Sequence, residues 1–328
     1  MKFGFAPVQS EPRFEPMVAQ ARLAESYGFE VLWAHEHHSQ AMMYPDPLMT
    51  LAVLAPHTSE ARLGTSMLLL PEWHPLRVAE QGAMVDVLSE GRLILGVAAG
   101  YAEDEFADFG VEMKDRGRRM EEGLHLIRTV WTEEEVHLRT AQAHLDGYSI
   151  FPRPIQQPRP PIYVGGLADV AIRRAARLGD GYVLSAGSTV EEIRERITIY
   201  QETIRELGLT PSEQQPLAVN RVVHVVGSRA ERDEAIPYFA ERFLSAYDRW
   251  GHDDIRRLGS EERAYEETAR QHFIIGEASE CVEQITQYEE LGVEHLACLM
   301  NFGAPAPSLN LVDSSLRRFG EEVLTRFQ

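Results

Sequence analysis

The sequence is poor in cysteine, in basic residues relative to acids, and in long apolar runs, and each shortage removes a class of protein. Only Cys281 and Cys298 occur among 328 residues. They form no CxxC pair and no disulfide framework, and their apolar surroundings suit packing in a reducing compartment rather than nucleophilic chemistry. The chain carries 32 basic residues against 51 acidic ones, a formal charge of −19. A surface of that sign repels phosphate backbones and anionic lipid, which excludes nucleic acid and the membrane surface as expected partners. No apolar run approaches the roughly 18 residues that a spanning helix needs. Met1 leads directly into KFGFAPV, without a basic stretch followed by a long apolar one, so the expectation is a cytoplasmic protein. Also missing are a GxGxxG after the first apolar run, an internal repeat, a low-complexity tract and a Gly/Pro/Ser linker. One domain over residues 1–328 is therefore expected.

What the chain does have is a rhythm. Short apolar runs alternate with amphipathic segments of 10–18 residues, the pattern of a parallel sheet covered by helices. Eight runs read as strands: Lys2–Ala6, Glu30–Ala34, Arg62–Leu70, Arg92–Ala98, Pro161–Val164, Tyr182–Ser185, Leu217–Val226 and His295–Met300. Helices are expected from Glu15 to Tyr27 before Gly28, from Pro47 to His57, and over Pro75–Leu88, Gly117–Trp131, Val190–Leu207, Ser279–Leu291 and Ser308–Phe327, with one more ending at Leu178. The polar stretch after Tyr101 reads as a loop, and Phe273–Gly276 as a lead-in to the helix that follows. Eight strands and at least eight helices close as a TIM (β/α)8 barrel, which needs about 250 residues. The surplus falls into two insertions, a hairpin at about 132–160 and a charged, helix-compatible segment at about 228–272. A doubly wound open sheet is the competing architecture, disfavoured by the missing glycine fingerprint.

Barrel enzymes assemble their sites from the C-terminal ends of strands. Here those ends are mostly small and apolar, with one polar exception: His35, Glu36, His37 and His38 after the second strand. His35 and His37 form an HxH pair that could hold a metal. The later strand ends read AAGY, GG, LSAG and MNFG, and supply no His, Cys or Asp to complete a coordination shell, so no metal is expected. A bland alternative is a satisfied structural cluster, with Glu36 paired to a neighbour such as Arg77. The remaining reading is proton transfer, since an imidazole titrates near neutrality. A small, apolar rim suits a broad flat ligand kept from water, either a flavin or deazaflavin ring or a large hydrophobic substrate. Gly165–Gly166, between a strand and a helix, can bring backbone amides and a helix N-terminus to a phosphate, or can simply make a tight turn. Gly100 suits a positive φ. Arg77, Glu80 and Asp86 are spaced for ion pairs along one helix. Trp33, Trp131, His272 and His295 are expected in packing roles, and Met42, Met43, Tyr44 and the second insertion as pocket walls.

Four segments taken together carry a family resemblance: GFEVLWAHEHHS, the block from Arg62 to Gly110 with its HPxRxAE and SEGR elements, PPIYVGGLADVAIRRAARLGDGY, and GEASECVEQITQYEELGVEHLACLMNFG. They resemble the luciferase-like flavin monooxygenase family, in order from Lys2 to Phe327 and outside the two insertions. The resemblance implies a TIM barrel that binds reduced FMN, or alternatively the deazaflavin F420, at its C-terminal mouth. It also implies a flavin reductase that supplies the reduced cofactor, O2 as co-substrate, a flavin C4a-peroxide, an apolar organic substrate such as an aldehyde, and a homodimer formed through barrel helices. His37 falls on the family's catalytic histidine, and Ser66–Met67 on a non-prolyl cis peptide beneath the flavin ring. Ala98 falls on a cysteine that faces the flavin. Ala99 replaces an arginine that grips the phosphate, next to Gly100 and Tyr101 at the same strand end. Leu167, Ala168 and Ala171 replace acidic and hydroxyl groups. Phosphate binding is then expected from the backbone of Gly165, Gly166, Leu167 and Ala168, helped by Arg173 or Arg174.

Overall fold

A computed structural model describes residues 1–38, 43–209, 216–250, 262–303 and 307–327 of the chain. Each short apolar run pairs in parallel with a neighbour, because the helix after it returns the chain to the same edge of the sheet. The strands are β1 (Lys2–Phe5), β2 (Val31–Ala34), β3 (Arg62–Thr65), β4 (Leu68–Leu69), β5 (Leu93–Ala98), β6 (Val136–Arg139) and β7 (His144–Tyr148). The second half adds β8 (Ile162–Gly165), β9 (Gly181–Leu184), β10 (Leu217–Val225), β11 (Phe273–Gly276) and β12 (His295–Leu299). Pairing runs β1–β2–β3–β5–β8–β9–β10–β12 and returns from β12 to β1, which closes an eight-stranded parallel barrel. This is the expected TIM-barrel architecture.

The helices are α1 (Glu15–Tyr27), α2 (Pro47–Leu54), α3 (Pro75–Leu88), α4 (Glu103–Asp108), α5 (Arg116–Thr132) and α6 (Asp169–Leu178). After them come α7 (Val190–Glu206), α8 (Arg229–Arg249), α9 (Glu262–His272), α10 (Ala278–Glu290) and α11 (Leu309–Arg318). Their starts follow local chemistry. Asp46 accepts the Met49 N–H at the head of α2, and Thr189 with Glu192 forms a reciprocal capping box at the head of α7. Gly28 ends α1 at φ 92, in the left-handed region.

The period-2 alternation of the strands divides the apolar residues into two shells. Val31, Trp33, Ile94, Tyr163, Ala218, Val222 and Ala297 fill the barrel interior. Leu32, Leu63, Leu95, Val164 and Leu184 face outward against the helices. Cys281 and Cys298 are buried free thiols, and Trp131 is core, with its Nε1–H donated to the Ala79 carbonyl at 2.9 Å.

Three local expectations change. The run Arg62–Leu70 is not one strand. Between the Gly64–Ile94 and Leu68–Val97 pairs it advances four residues against three on β5, a bulge-like excess that falls at Ser66–Met67. Thr65 bridges the gap: its hydroxyl donates to the Gly96 carbonyl at 2.6 Å and accepts the Gly96 N–H at 2.9 Å. Position 96 must be glycine, since a β-carbon there would collide with the Thr65 carbonyl oxygen. The stretch after Tyr101 is not all loop either, because it winds into α4. Finally, Phe273–Gly276 is a strand. Val222 of the long β10 pairs with Leu299 on one edge and Phe273 on the other, so β11 extends the sheet beyond the end of β9. The first insertion is the β6–β7 hairpin, and the second contributes α8 and α9.

Candidate active site

A cavity of about 520 Å3 opens at the C-terminal ends of the strands, within the size range of small-molecule and cofactor sites. His37, Ser66, Met67, Ala98–Tyr101 and Gly165–Ala168, drawn from four different strand ends, all line it. The Ser66–Met67 peptide is cis. Gly100 has φ +74, which turns the chain out of β5 and into the cavity wall.

His37 is held from two sides. Its Nδ1 pairs with Glu105 Oε1 at 2.9 Å, and the same oxygen accepts the His38 backbone N–H at 3.0 Å. Glu105 reaches inward because α4 turns it and Phe106 toward the core and leaves Glu103, Asp104 and Asp108 in solvent. Burial alone would raise the Glu105 carboxyl. The hydrogen bond and charge of His37, with the His38 N–H, outweigh that and hold it below its usual range. On the other side Trp250, at the end of α8, lies parallel on the imidazole, with centroids 4.1 Å and planes 9° apart. Tyr101 meets the same ring edge-on at 6.2 Å. With Nδ1 committed to Glu105, Nε2 is the nitrogen left to exchange a proton with a ligand.

His35 and Glu36 also line the cavity but are held differently, and His38 lies behind it. Burial, then the nearby His37, push the His35 ring down to about 4, so it is neutral. Glu36 does not pair with Arg77, which instead bonds Glu80 at 3.0 Å. Glu36 accepts from the Leu69 N–H at 2.9 Å and the Trp73 indole at 2.8 Å, and pairs with His38 Nε2 at 2.9 Å. Asp86, also expected in an ion pair, accepts the backbone N–H groups of Ile155 and Gln156.

The far end of the cavity is cationic, despite the acidity of the chain. Lys114, Arg116 and Arg174 line it beside Gly165–Ala168. Arg174 is buried and oriented by Glu121, whose Oε1 accepts its Nε–H at 3.0 Å. Arg173 faces away from the cavity, toward Thr203 and Glu206. Of the two neighbouring arginines, Arg174 is the one that lines the cavity. Near the histidine, Tyr247, Trp250 and Phe302 form an aromatic wall, and Met43 lines the cavity as expected. Tyr44 bonds the Glu11 carbonyl and is not part of the lining, while Met42 lies outside the described residues. Asn220, on the inner face of β10, donates to Ser66 Oγ at 3.2 Å.

Sequence reading missed Glu105, Asn220, Lys114 and Arg116, and expected the second insertion in the wall without singling out Tyr247 and Trp250. The one available signal was EDEFADFG, in which Phe106 among acids marks the inward face of a short helix.

Comparison with known proteins decides the family. The model of the luciferase-like monooxygenases matches residues 1–295. The chain belongs to that family. Its curated relatives include the oxygenase component of a flavin-dependent trigonelline monooxygenase from Acinetobacter baylyi, 25% identical over 96% of this chain and 90% of that protein. An F420-dependent glucose-6-phosphate dehydrogenase from Amycolatopsis mediterranei is 28% identical over 97% of each chain. Among solved structures, the monooxygenase RslO1 from Streptomyces bottropensis superposes with a TM-score of 0.86 at 24% identity over the whole of both chains, a likeness of fold. This family member is accordingly an oxidoreductase of the flavin- or F420-dependent class. Among the described residues no helix is long and apolar enough to cross a membrane.

Proposed function

We propose that this chain is a monooxygenase that takes up reduced FMN from a separate reductase and uses O2 to oxidise an apolar organic compound, an aldehyde being one candidate. The observation that carries the proposal is His37, oriented by Glu105 and roofed by Trp250 in the aromatic-walled half of the cavity. A proton-handling group shielded from water is what oxygen transfer by a reduced flavin requires, because water would drain the reaction to hydrogen peroxide.

The residues fit the cofactor at both ends. Ser66–Met67 and the small side chains of Ala98, Ala99, Gly165 and Gly166 leave room for a flat ring. Arg174, Lys114 and Arg116 place positive charge where a phosphate would lie beside the start of α6. Together they take the place of the missing arginine at position 99. When bound, the reduced flavin supplies the activation of oxygen. The protein's own part is to hold the phosphate, exclude water with Tyr247, Trp250 and Phe302, and move a proton at His37 Nε2.

An F420-dependent oxidoreductase is the second reading. Lys114 and Arg116 are exposed at the cavity edge, where they could meet an anionic tail longer than one phosphate, and the glucose-6-phosphate dehydrogenase relative is named for that cofactor. Anaerobic titration with each reduced cofactor separates the two. Tighter binding of FMN, followed by oxygen-dependent oxidation of an added substrate, is expected. Tight F420 binding with no oxygen transfer from FMN would reverse the assignment. In the same titration Arg174→Ala should weaken FMN by about 10- to 100-fold, the scale of a hydrogen bond to a charged group, and leave phosphate-free riboflavin unchanged.

A homodimer belongs to the same proposal. Met84, Val87 and Leu88 of α3 are exposed apolar side chains on one helix, the kind of surface that a second copy would cover. Sedimentation is expected to give twice the chain mass, and a monomer at micromolar concentration would exclude it.

A further inference from the structure

Behind the cavity wall three carboxylates converge on the two histidines His37 and His38, and the hydrogen-bond donors are shared unequally among them. Glu36 has the Leu69 N–H, the Trp73 indole and His38. Glu105 has His37 and the His38 N–H. Glu72 has none: its side chain is fully buried, and among the described residues neither oxygen has a hydrogen-bond partner. The nearest cationic atom is His38 Nε2, 3.7 Å from Oε2, and that nitrogen is already engaged by Glu36. From α5, Arg119 gives its Nε–H to the Pro71 carbonyl at 2.6 Å, one residue away from Glu72. Glu72 Oε1 lies directly behind Gly100, 3.5 Å from where a β-carbon would stand, so this carboxyl backs the cavity wall itself.

Like charges in a dry volume cannot all persist, and the proton settles on the group with the fewest donors. We propose that Glu72 is a positioning residue that acts by staying neutral, withholding a third negative charge from the His37–Glu105 pair so that His37 can release a proton as readily as it takes one. Three ionised carboxylates around His37 and His38 would lock the imidazoles in their charged form. Two, each satisfied by donors, leave His37 able to cycle. Burial, and then the charges of Glu105 and Glu36, raise the Glu72 carboxyl to about 8, with His38 opposing them. His38 in turn is raised even though burial alone would lower it, chiefly through its hydrogen bond to Glu36 and the charge of Glu36. The inference rests on the reading of His37 as the proton-handling group.

The test compares the full-length parent with Glu72→Gln, an isostere that mimics the neutral acid and cannot ionise. Infrared spectra at pH 7, without cofactor, should show a protonated carboxylic acid in the parent that fades near pH 8 and is missing from Glu72→Gln. Ring resonances of His37 and His38 should carry an inflection near pH 8 in the parent only. Melting gives an independent sign. An acid raised from 4.5 to about 8 in the folded state binds more protons folded than unfolded in that window, so the parent loses stability as pH rises across it. Glu72→Gln lacks that slope and should melt above the parent at pH 9. Two results at the Glu72 carboxyl itself would overturn the proposal. One is an ionised Glu72 at pH 7. The other is a bound divalent cation lost in Glu72→Gln, since potential ligand atoms of Glu36, His38 and Glu72 lie within 4.8 Å of one another. None of these readouts involves a flavin, so failure here is distinct from failure of the monooxygenase reading. If the infrared band is present and the histidine inflection is not, Glu72 is neutral but does not act on His37, and the proposed role falls.

Discussion

His37→Ala should fold like the parent and turn over about 10²- to 10⁴-fold more slowly with its reduced cofactor, the range for removal of a general acid–base group. The fold should survive because the imidazole lines a cavity and is not part of the core. Its loss nevertheless leaves Glu105 with only the His38 N–H, at a cost of about 1 kcal/mol for the missing bond. That cost depends on pH. Glu105 is held below its ordinary 4.5, so its pairing stabilises the folded state above pH 4.5 and is lost as pH falls through the depressed value. The melting difference between parent and variant should thus be largest near neutrality and close in acid. Turnover within threefold of the parent would remove His37 from the mechanism, whatever the melting curves show.

Arg221→Met is expected to have the largest effect on stability. Arg221 is fully buried on β10, and among the described residues no carboxylate pairs with it. Its charge is dispersed over oxygens instead. Nε donates to the Tyr288 hydroxyl at 2.6 Å, Nη2 to the Ser188 carbonyl at 2.7 Å, and Nη1 to the carbonyls of Ser185, Ala186 and Asn220 at 3.1–3.3 Å. The guanidinium also lies 5.1 Å from the Tyr288 ring centroid. This single side chain pins the turn from β9 to α7, of which Ser185 and Ala186 line the cavity. Methionine keeps the apolar stem and removes every donor. At roughly 1–3 kcal/mol for each buried acceptor left unpaired, and with partial relaxation of the turn, the loss should reach about 3–6 kcal/mol. Cofactor affinity should fall with it, because the wall is no longer held. Lysine should restore only part, since an ammonium cannot reproduce the planar fork. Denaturant unfolding measures the first effect and titration the second. A change below about 1 kcal/mol would mean that the turn is ordered without Arg221.

What could be read before folding was what repeats or what a strand end exposes. The period of apolar runs and helices is set by local geometry, so the barrel was legible, as were the breaks at Gly28 and Pro75. The backbone detail at Ser66–Met67 was not legible from composition or periodicity and came only through resemblance. The stretch 101–116 reads as polar because α4 hides only Glu105 and Phe106, too few residues for a helical period to stand out. Phe273–Gly276 is too short and too close to a helix for a strand to be recognised without its partner Val222–Val225.

HEHH shows the division at one point. By itself the sequence determined that four polar groups stand at the inner end of a buried strand. Alternation and barrel closure leave no other place for them. Which contacts hold each of the four was decided by tertiary structure alone. Glu105 lies 68 positions from His37 in the chain, Trp73 lies 37 from Glu36, and Trp250 comes from the second insertion. Hydrogen bonds and ring stacking act over a few ångströms of space and leave no periodic trace along the chain. The roles proposed for His37 and Glu72 therefore depend on the barrel having brought these segments together.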